Sequence, residues 1–363
     1  MNLLTIAVLI FAALGAADRV FGNKLGLGKE FEKAFMLLGV MALSMIGMIV
    51  IAPVIAKMMG GASSALCNML KIDPSIIPAS LFANDMGGAA VAVKIAQNSE
   101  IGSYNALIVS SMLGCTVSFT IPFALGAVKK EQHNELLLGL LCGIITIPTG
   151  CFVSGLICRI PIGALVLNLI PLISFSVIIA VCLILIPDKC IKVLKIFGFF
   201  ITAIITFGLL CGMINFLTGK DVVKGIAPIE DGAKICFNAA IVLSGFFPLL
   251  YVCTKILSRP LKYIGGKAGI NEASVMGVVS TLASNAPAFG MMEKMDKKGA
   301  VLNSAFAVSG AFVFGAHFAF TMAFDKSYIV PLIAGKLVSG FFALAVAFII
   351  YGRNIKKQSA ASK

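Results

Sequence analysis

Tryptophan is absent from this chain, histidine occurs twice, and charged side chains make up only 12% of its 363 residues. Ordinary soluble domains carry about a quarter charged residues, so a soluble globular fold is excluded. Without Trp, any aromatic belt at a membrane interface must come from the 5 Tyr and from Phe. The 10 Cys include no CxxC pair, and most lie in apolar runs such as Leu141-Cys142-Gly143 and Val181-Cys182-Leu183. They read as small hydrophobes, with no sign of a disulfide framework or a zinc site. P-loop, HExxH and paired acidic motifs at metal-ligand spacing are all missing. Ser309-Gly310 has no base near it in sequence, so a serine hydrolase finds little support. No cofactor and no metal are expected. The first apolar stretch has no basic n-region and no clear cleavage site before Asp18-Arg19, and reads as a mature helix.

What remains is apolar sequence, 59% hydrophobic with mean hydropathy +1.03. The net charge of +13 sits in short loops between apolar stretches. That placement fits a positive-inside bias and lipid headgroups, and argues against nucleic acid as a partner. The fold class is therefore an all-α polytopic membrane protein whose first partner is the lipid bilayer. A spanning helix needs about 20 mostly apolar residues. Candidates lie at roughly 2–20, 34–56, 103–127, 135–158, 163–187, 196–217, 236–257, 299–324 and 327–352. Two more stretches, roughly 74–97 and 273–293, are long enough but broken in the middle. Asn84-Asp85-Met86-Gly87-Gly88 interrupts the first and Ser284-Asn285-Ala286-Pro287 the second. Mixed-charge connectors occupy 19–33 and 218–235.

Each half then reads helix, charged connector, helix, broken stretch, helix, helix. This predicts a first transmembrane repeat at 1–158, a linking helix within 159–192, and a second repeat with a cytoplasmic tail at 193–363. Asn84 pairs with Asn285, and Gly47, Lys57 and Asn105 pair with Gly245, Lys255 and Asn303 at a nearly constant offset. Charge decides how the broken stretches run. Full crossing divides the basic residues about 15 against 12, whereas doubling back divides them about 20 against 7. The expectation is about nine spanning helices, two re-entrant broken helical hairpins and inverted repeats, with the N-terminus outside and the C-terminus in the cytoplasm.

In such hairpins two half-helices meet near mid-membrane, where irregular backbone is tolerated only inside protein or beside water. The carbonyls ending the first half-helix favour a cation, and the N–H groups opening the second favour an anion or a hydroxyl. Asp85 is the only carboxylate well inside an apolar stretch near either tip, so it needs a partner, a proton or water. The candidate substrate-binding residues are Asn84, Asp85, Ser284, Asn285 and His317. For the first pair the alternative is capping of the half-helix near Met86. For Ser284 and Asn285 it is a cap before Pro287. His317 lies inside an apolar helix, as a functional group or bonded to a neighbouring helix. Asn105 and Asn303 are expected to bond across the repeat interface. Lys94 and Lys336 are expected to snorkel outwards, with channel lining as the lesser reading. Glu293 and Asp296 read as part of a solvated loop, and His133 as a loop residue without a partner.

These segments resemble the EutH family of ethanolamine-utilisation membrane proteins. The likeness rests on Ala83-Asn84-Asp85-Met86-Gly87-Gly88, on the run from Thr281 to Met292, and on the run from Asn303 to Ser309. Ile145-Thr146-Ile147-Pro148-Thr149-Gly150-Cys151 and Ala334-Gly335-Lys336-Leu337 also look similar. The resemblance implies ethanolamine uptake across the bacterial cytoplasmic membrane, feeding a cobalamin-dependent ammonia-lyase pathway. Protonated ethanolamine would offer an ammonium to Asp85 and a hydroxyl to Asn84 or Asn285. The family pattern also implies an acidic residue just before the His, where this chain has Ala316-His317, so a carboxylate–His pair is expected to be missing. Three readings follow: an ethanolamine transporter or facilitator, a cation- or proton-coupled carrier of another small solute, and a membrane enzyme of amino-alcohol or lipid metabolism. Collapse of uptake with an ion gradient marks the second, and product formation without transmembrane movement the third. Each leaves room for a homo-oligomer.

Overall fold

The computed structural model describes residues 3–361, and among these every regular element is helical. The first unit contains α1 (Leu3–Val20), α2 (Leu27–Leu70), α3 (Ile76–Leu81), α4 (Gly88–Ile95) and α5 (Ser99–Tyr104). α5 runs through π-helical turns, Asn105–Gly114 and Thr116–Thr120, into α6 (Ile121–Ala127), and then come α7 (His133–Ile144) and α8 (Ile147–Ile157). α9 (Ile162–Leu185) follows. The second unit contains α10 (Pro187–Thr218), α11 (Ile229–Ala268), α12 (Glu272–Thr281), α13 (Asn285–Gly290), α14 (Lys297–Ser309), α15 (Ala316–Phe324) and α16 (Ile329–Ala361).

Seven spans among the described residues are long and apolar enough to cross a membrane: Leu27–Gly60, Ser99–Ala127, Lys130–Ile157, Ile162–Leu185, Pro187–Thr218, Ile229–Ile256 and Lys326–Arg353. The protein is a multi-pass membrane protein. The Ser99–Ala127 span is the hub, with 83% of its most apolar window buried against 22% for Pro187–Thr218. The stretch 299–324, expected as one helix, is two. Residues 310–315 are unwound between α14 and α15, with Phe312 held at φ +61°. The freed N–H groups of Phe312 and Phe314 donate to the carbonyls of Thr281 (3.2 Å) and Leu282 (2.8 Å). Those carbonyls end α12, so two helix breaks satisfy each other's backbone.

Hydrogen bonds join the two ends of each broken stretch. Asp73 accepts from the N–H of Ser75 (2.9 Å) and from its hydroxyl with one oxygen, and from the N–H groups of Gln97 (3.0 Å) and Asn98 (2.8 Å) with the other. In the second stretch the carboxylate stands at the far end. Asp296 accepts from Asn271 N–H (2.8 Å), Ser274 Oγ (2.8 Å) and Gly299 N–H (3.1 Å), and Asn271 Nδ2 donates to the Lys294 carbonyl (2.8 Å).

Connectors are also tied to each other. Lys129 pairs with Glu293 at 2.7 Å, and Gln132 Nε2 donates to the Met292 carbonyl at 2.9 Å. Tyr328 donates to the Glu100 carbonyl at 3.3 Å. His133, expected to lack a partner, stands 3.1 Å from the Val128 carbonyl.

Two helix crossings depend on glycine. A Cβ at Gly47 of α2 would lie 1.8 Å from the Ile205 carbonyl oxygen of α10, and one at Gly245 of α11 would lie 2.0 Å from that of Val8 on α1. The second long helix of each unit thus packs on the first helix of the other. Asn105 and Asn303 do not bond across the units. Asn105 donates to Ser75 Oγ (2.9 Å) and Asn168 Oδ1 (3.0 Å), and Asn303 donates to the Ser274 carbonyl (2.8 Å). Each fastens its own helix to the base of the preceding broken stretch, where a buried amide finds the nearest strong acceptors.

Candidate functional site

The first tip is a single 3-10 turn, Asn84–Met86, between α3 and α4. Gly87 closes it at φ +97°, and a Cβ there would fall 1.7 Å from Met48 Cγ, so the position demands glycine. Neither Asn84 nor Asp85 caps α4, which begins after Gly87 without a side-chain cap. Asn84 is completely buried, and neither its amide oxygen nor its amide nitrogen has a hydrogen-bond partner. Leaving both unmade costs on the order of 1–3 kcal/mol each.

Asp85 projects towards α15. Its Oδ1 stands 3.7 Å from His317 Nε2, and the two side chains are 15% and 2% exposed. On its other side, His317 Nδ1 lies 3.3 Å from Lys336 Nζ of α16, which donates to the Ser111 carbonyl at 2.7 Å. A carboxylate–His pair is therefore present, with the carboxylate contributed by the first tip and not by the residue before His317. Lys336 does not snorkel. It is 1% exposed and points inward, whereas Lys94 is exposed as expected. The ring of Phe312 covers His317 at 4.9 Å between centroids, and Phe119 meets Phe312 edge-on at 5.7 Å.

The second tip divides its two candidates. Ser284 is half-buried and caps α13 by accepting from Ala286 N–H at 3.3 Å. Asn285 is fully buried, donates to Thr120 Oγ1 at 3.2 Å, and leaves its amide oxygen without a partner. The π-helical turn Thr116–Thr120 holds both tips, since the Ala83 N–H of the first donates to Ser118 Oγ at 3.1 Å. Two hydroxyls in one turn thus anchor two backbone breaks that lie far apart in sequence. Thr321, one turn beyond His317 on α15, adds another buried hydroxyl without a partner.

Thr120, Phe312 and Thr321 had no distinguishing signal in sequence, and an inward Lys336 was there only the lesser reading. Chemically, the cluster offers one carboxylate, one imidazole, one amine and two amides with unused bonding capacity, all buried except the partly exposed Asp85.

The family profile described as "Ethanolamine utilisation protein, EutH" matches residues 1–350. The chain is 42% identical over 353 residues to the protein named "Probable ethanolamine permease EutH" of Listeria monocytogenes serotype 1/2a (strain 10403S), covering 97% of this chain and 95% of that one. Proteins of the same name from Salmonella typhimurium (strain LT2) and Escherichia coli (strain K12) are 35% identical over 382 residues, with 94% of this chain and 93% of theirs covered. No solved structure matches significantly. The chain belongs to the EutH family of ethanolamine utilisation proteins.

Proposed function

We propose that the protein is an ethanolamine permease of the bacterial cytoplasmic membrane, in which Asp85 pairs with the substrate ammonium and Asn84 with its hydroxyl. The observation that carries this is Asn84, wholly buried beside Asp85 with every hydrogen-bonding atom of its amide unused. Such a group in an apolar interior reads as a place held for a polar ligand. The permease names of the relatives supply the substrate. Asn285 contributes its free carbonyl oxygen from the second tip, and Ser284 serves as a helix cap. Buried as these groups are, access requires a tip to part from the hub. The protein moves its substrate and does not transform it.

The membrane arrangement proposed is two inverted repeats, 1–158 and 193–363, joined through 159–192. α1 and the unwound α14–α15 pair bring the seven long spans to nine. Both broken stretches are re-entrant. The Asp73 and Asp296 bonds support this, because they close each stretch at its base. The Lys129–Glu293 pair supports it as well, since full crossing of the second stretch would set those connectors on opposite faces.

Labelled ethanolamine uptake into proteoliposomes tests the function. Wild type is expected to take it up and Asp85→Asn is expected not to. Normal uptake by the variant refutes the site, and no uptake by wild type refutes the substrate.

A further inference from the structure

Lys336 is 1% exposed, yet among the described residues two partners meet its amine: the Ser111 carbonyl at 2.7 Å and His317 Nδ1 at 3.3 Å. With Nδ1 accepting from Lys336, the imidazole proton sits on Nε2 and faces Asp85 Oδ1 at 3.7 Å. That gap exceeds a hydrogen bond, so the carboxylate is near enough to feel the charge without being locked to it. The groups facing Lys336 that can titrate are Asp85 from the first tip, His317 from α15, Cys115 from the π-helical hub and Cys151 from α8. Asp85 is the carboxylate among them, so one positive charge balances the empty cluster.

We propose that Lys336 is a tethered counter-cation that gives up its proton when a cationic amine binds, so that the site exchanges a substrate ammonium for a proton. The inference rests on reading Asp85 as the ammonium site. One carboxylate cannot neutralise two enclosed cations, and an uncompensated charge at this depth costs several kcal/mol. In the empty site Asp85 is negative and Lys336 positive. As the ammonium reaches Asp85, the Lys336 proton leaves to water on the open side and the amine remains neutral. On release to the other side Lys336 takes a proton from there. Each cycle moves one ammonium one way and one proton the other, with no net charge.

Two measurements decide it. With pH equal on both sides, wild-type accumulation of ethanolamine is expected to ignore an imposed membrane potential. A uniporter of the cation would instead accumulate about tenfold for roughly each 59 mV. Ethanolamine binding in weakly buffered detergent is expected to release about one proton per molecule from wild type. Lys336→Arg, which keeps a cation that cannot deprotonate, is expected to fold and to lose binding by at least about 100-fold. Accumulation that follows the potential, or binding without proton release, overturns the exchange while leaving the substrate reading intact. No binding or uptake by wild type overturns both.

Discussion

His317 Nε2 and Asp85 Oδ1 face each other across 3.7 Å, one from a helix of the second unit and one from a helix break in the first. Neither residue is close to the other in sequence, and the pair exists only because the first tip abuts α15. Removing the charge with Asp85→Asn is expected to reduce ethanolamine uptake by about 100-fold, the equivalent of roughly 2.5–3.5 kcal/mol for an unpaired charge in a membrane interior. Asp85→Glu keeps the charge and is expected to retain part of the activity. Uptake kinetics at matched protein density check both, and equal loss in the two variants would point to shape in place of charge.

Asn84 makes an unusual prediction because its amide bonds to nothing in the protein. Truncating an ordinary buried Asn breaks hydrogen bonds and lowers stability. Asn84→Ala removes orphaned polar atoms, so thermal stability in detergent is expected to hold or rise slightly, offset by a small cavity. Substrate affinity is expected to fall by about 5–30-fold, equivalent to roughly 1–2 kcal/mol for a hydrogen bond to a ligand. A clear drop in stability with unchanged affinity would assign Asn84 to the scaffold.

Much of this candidate site was legible because a membrane sequence makes interruptions conspicuous. Asn84-Asp85 and Ser284-Asn285 stand out in apolar runs, and His317 is one of only two histidines. Asn105 and Asn303 were legible as a matched pair but not as to partner, since an amide's acceptor is chosen by three-dimensional proximity. Lys336 lies seven residues into α16, about 10 Å along the axis, a depth from which a lysine reaches either the interface or the interior. Only the neighbours supplied by α15 and the hub decide between them. The unwinding at 310–315 carries Gly310 and Gly315 but no proline, and the N–H groups it frees at Phe312 and Phe314 are taken up by the carbonyls that end α12, acceptors that the sequence does not place there.

The two glycine crossings are expected to behave alike, because each brings a glycine against the backbone of another long helix. Gly47→Ala and Gly245→Ala each drive a methyl into backbone that cannot rotate away, at 1.8 Å and 2.0 Å. Each is expected to destabilise the protein by about 1–3 kcal/mol, the usual penalty of overpacking. Gly39→Ala in the same α2 helix meets nothing within 4 Å and is expected to be neutral or stabilising through helix propensity. Unfolding midpoints in detergent compare the three, and a tolerated Gly47→Ala would contradict the α2–α10 crossing.

The base of the second stretch carries a pH dependence. Burial pushes the Asp296 carboxyl up, but bonds from Asn271 N–H, the Ser274 hydroxyl and Gly299 N–H outweigh it and hold the group below its usual 3.8. A lowered value means stabilisation that is present above the unfolded value and lost as pH falls through the folded one. The protection factor at Asn271–Ser274, exchange relative to the intrinsic rate at each pH, is therefore expected to be high and flat from neutral pH down to about 4 and to fall below it. Asp296→Asn is expected to remove that acid step. An unchanged profile in the variant would place the loss elsewhere.

The Lys129–Glu293 pair tests the membrane arrangement without altering the chain. Both side chains are more than half exposed, 61% and 64%, so the pair adds little stability and Lys129→Ala is expected to leave the unfolding midpoint unchanged. Its value is geometric. A zero-length carbodiimide coupling needs the amine and carboxylate in contact, and these atoms are 2.7 Å apart. Treating the protein in native membrane vesicles is expected to yield a cross-linked peptide joining Lys129 to Glu293, detected by mass spectrometry. The Lys33–Glu30 pair at 3.2 Å serves as the positive control. A membrane-impermeant amine reagent is expected to reach Lys129 and Lys294 from one face of the vesicle and Lys326 from the other. Labelling Lys129 and Lys294 from opposite faces would mean that the second broken stretch crosses the membrane, and the re-entrant arrangement would fall.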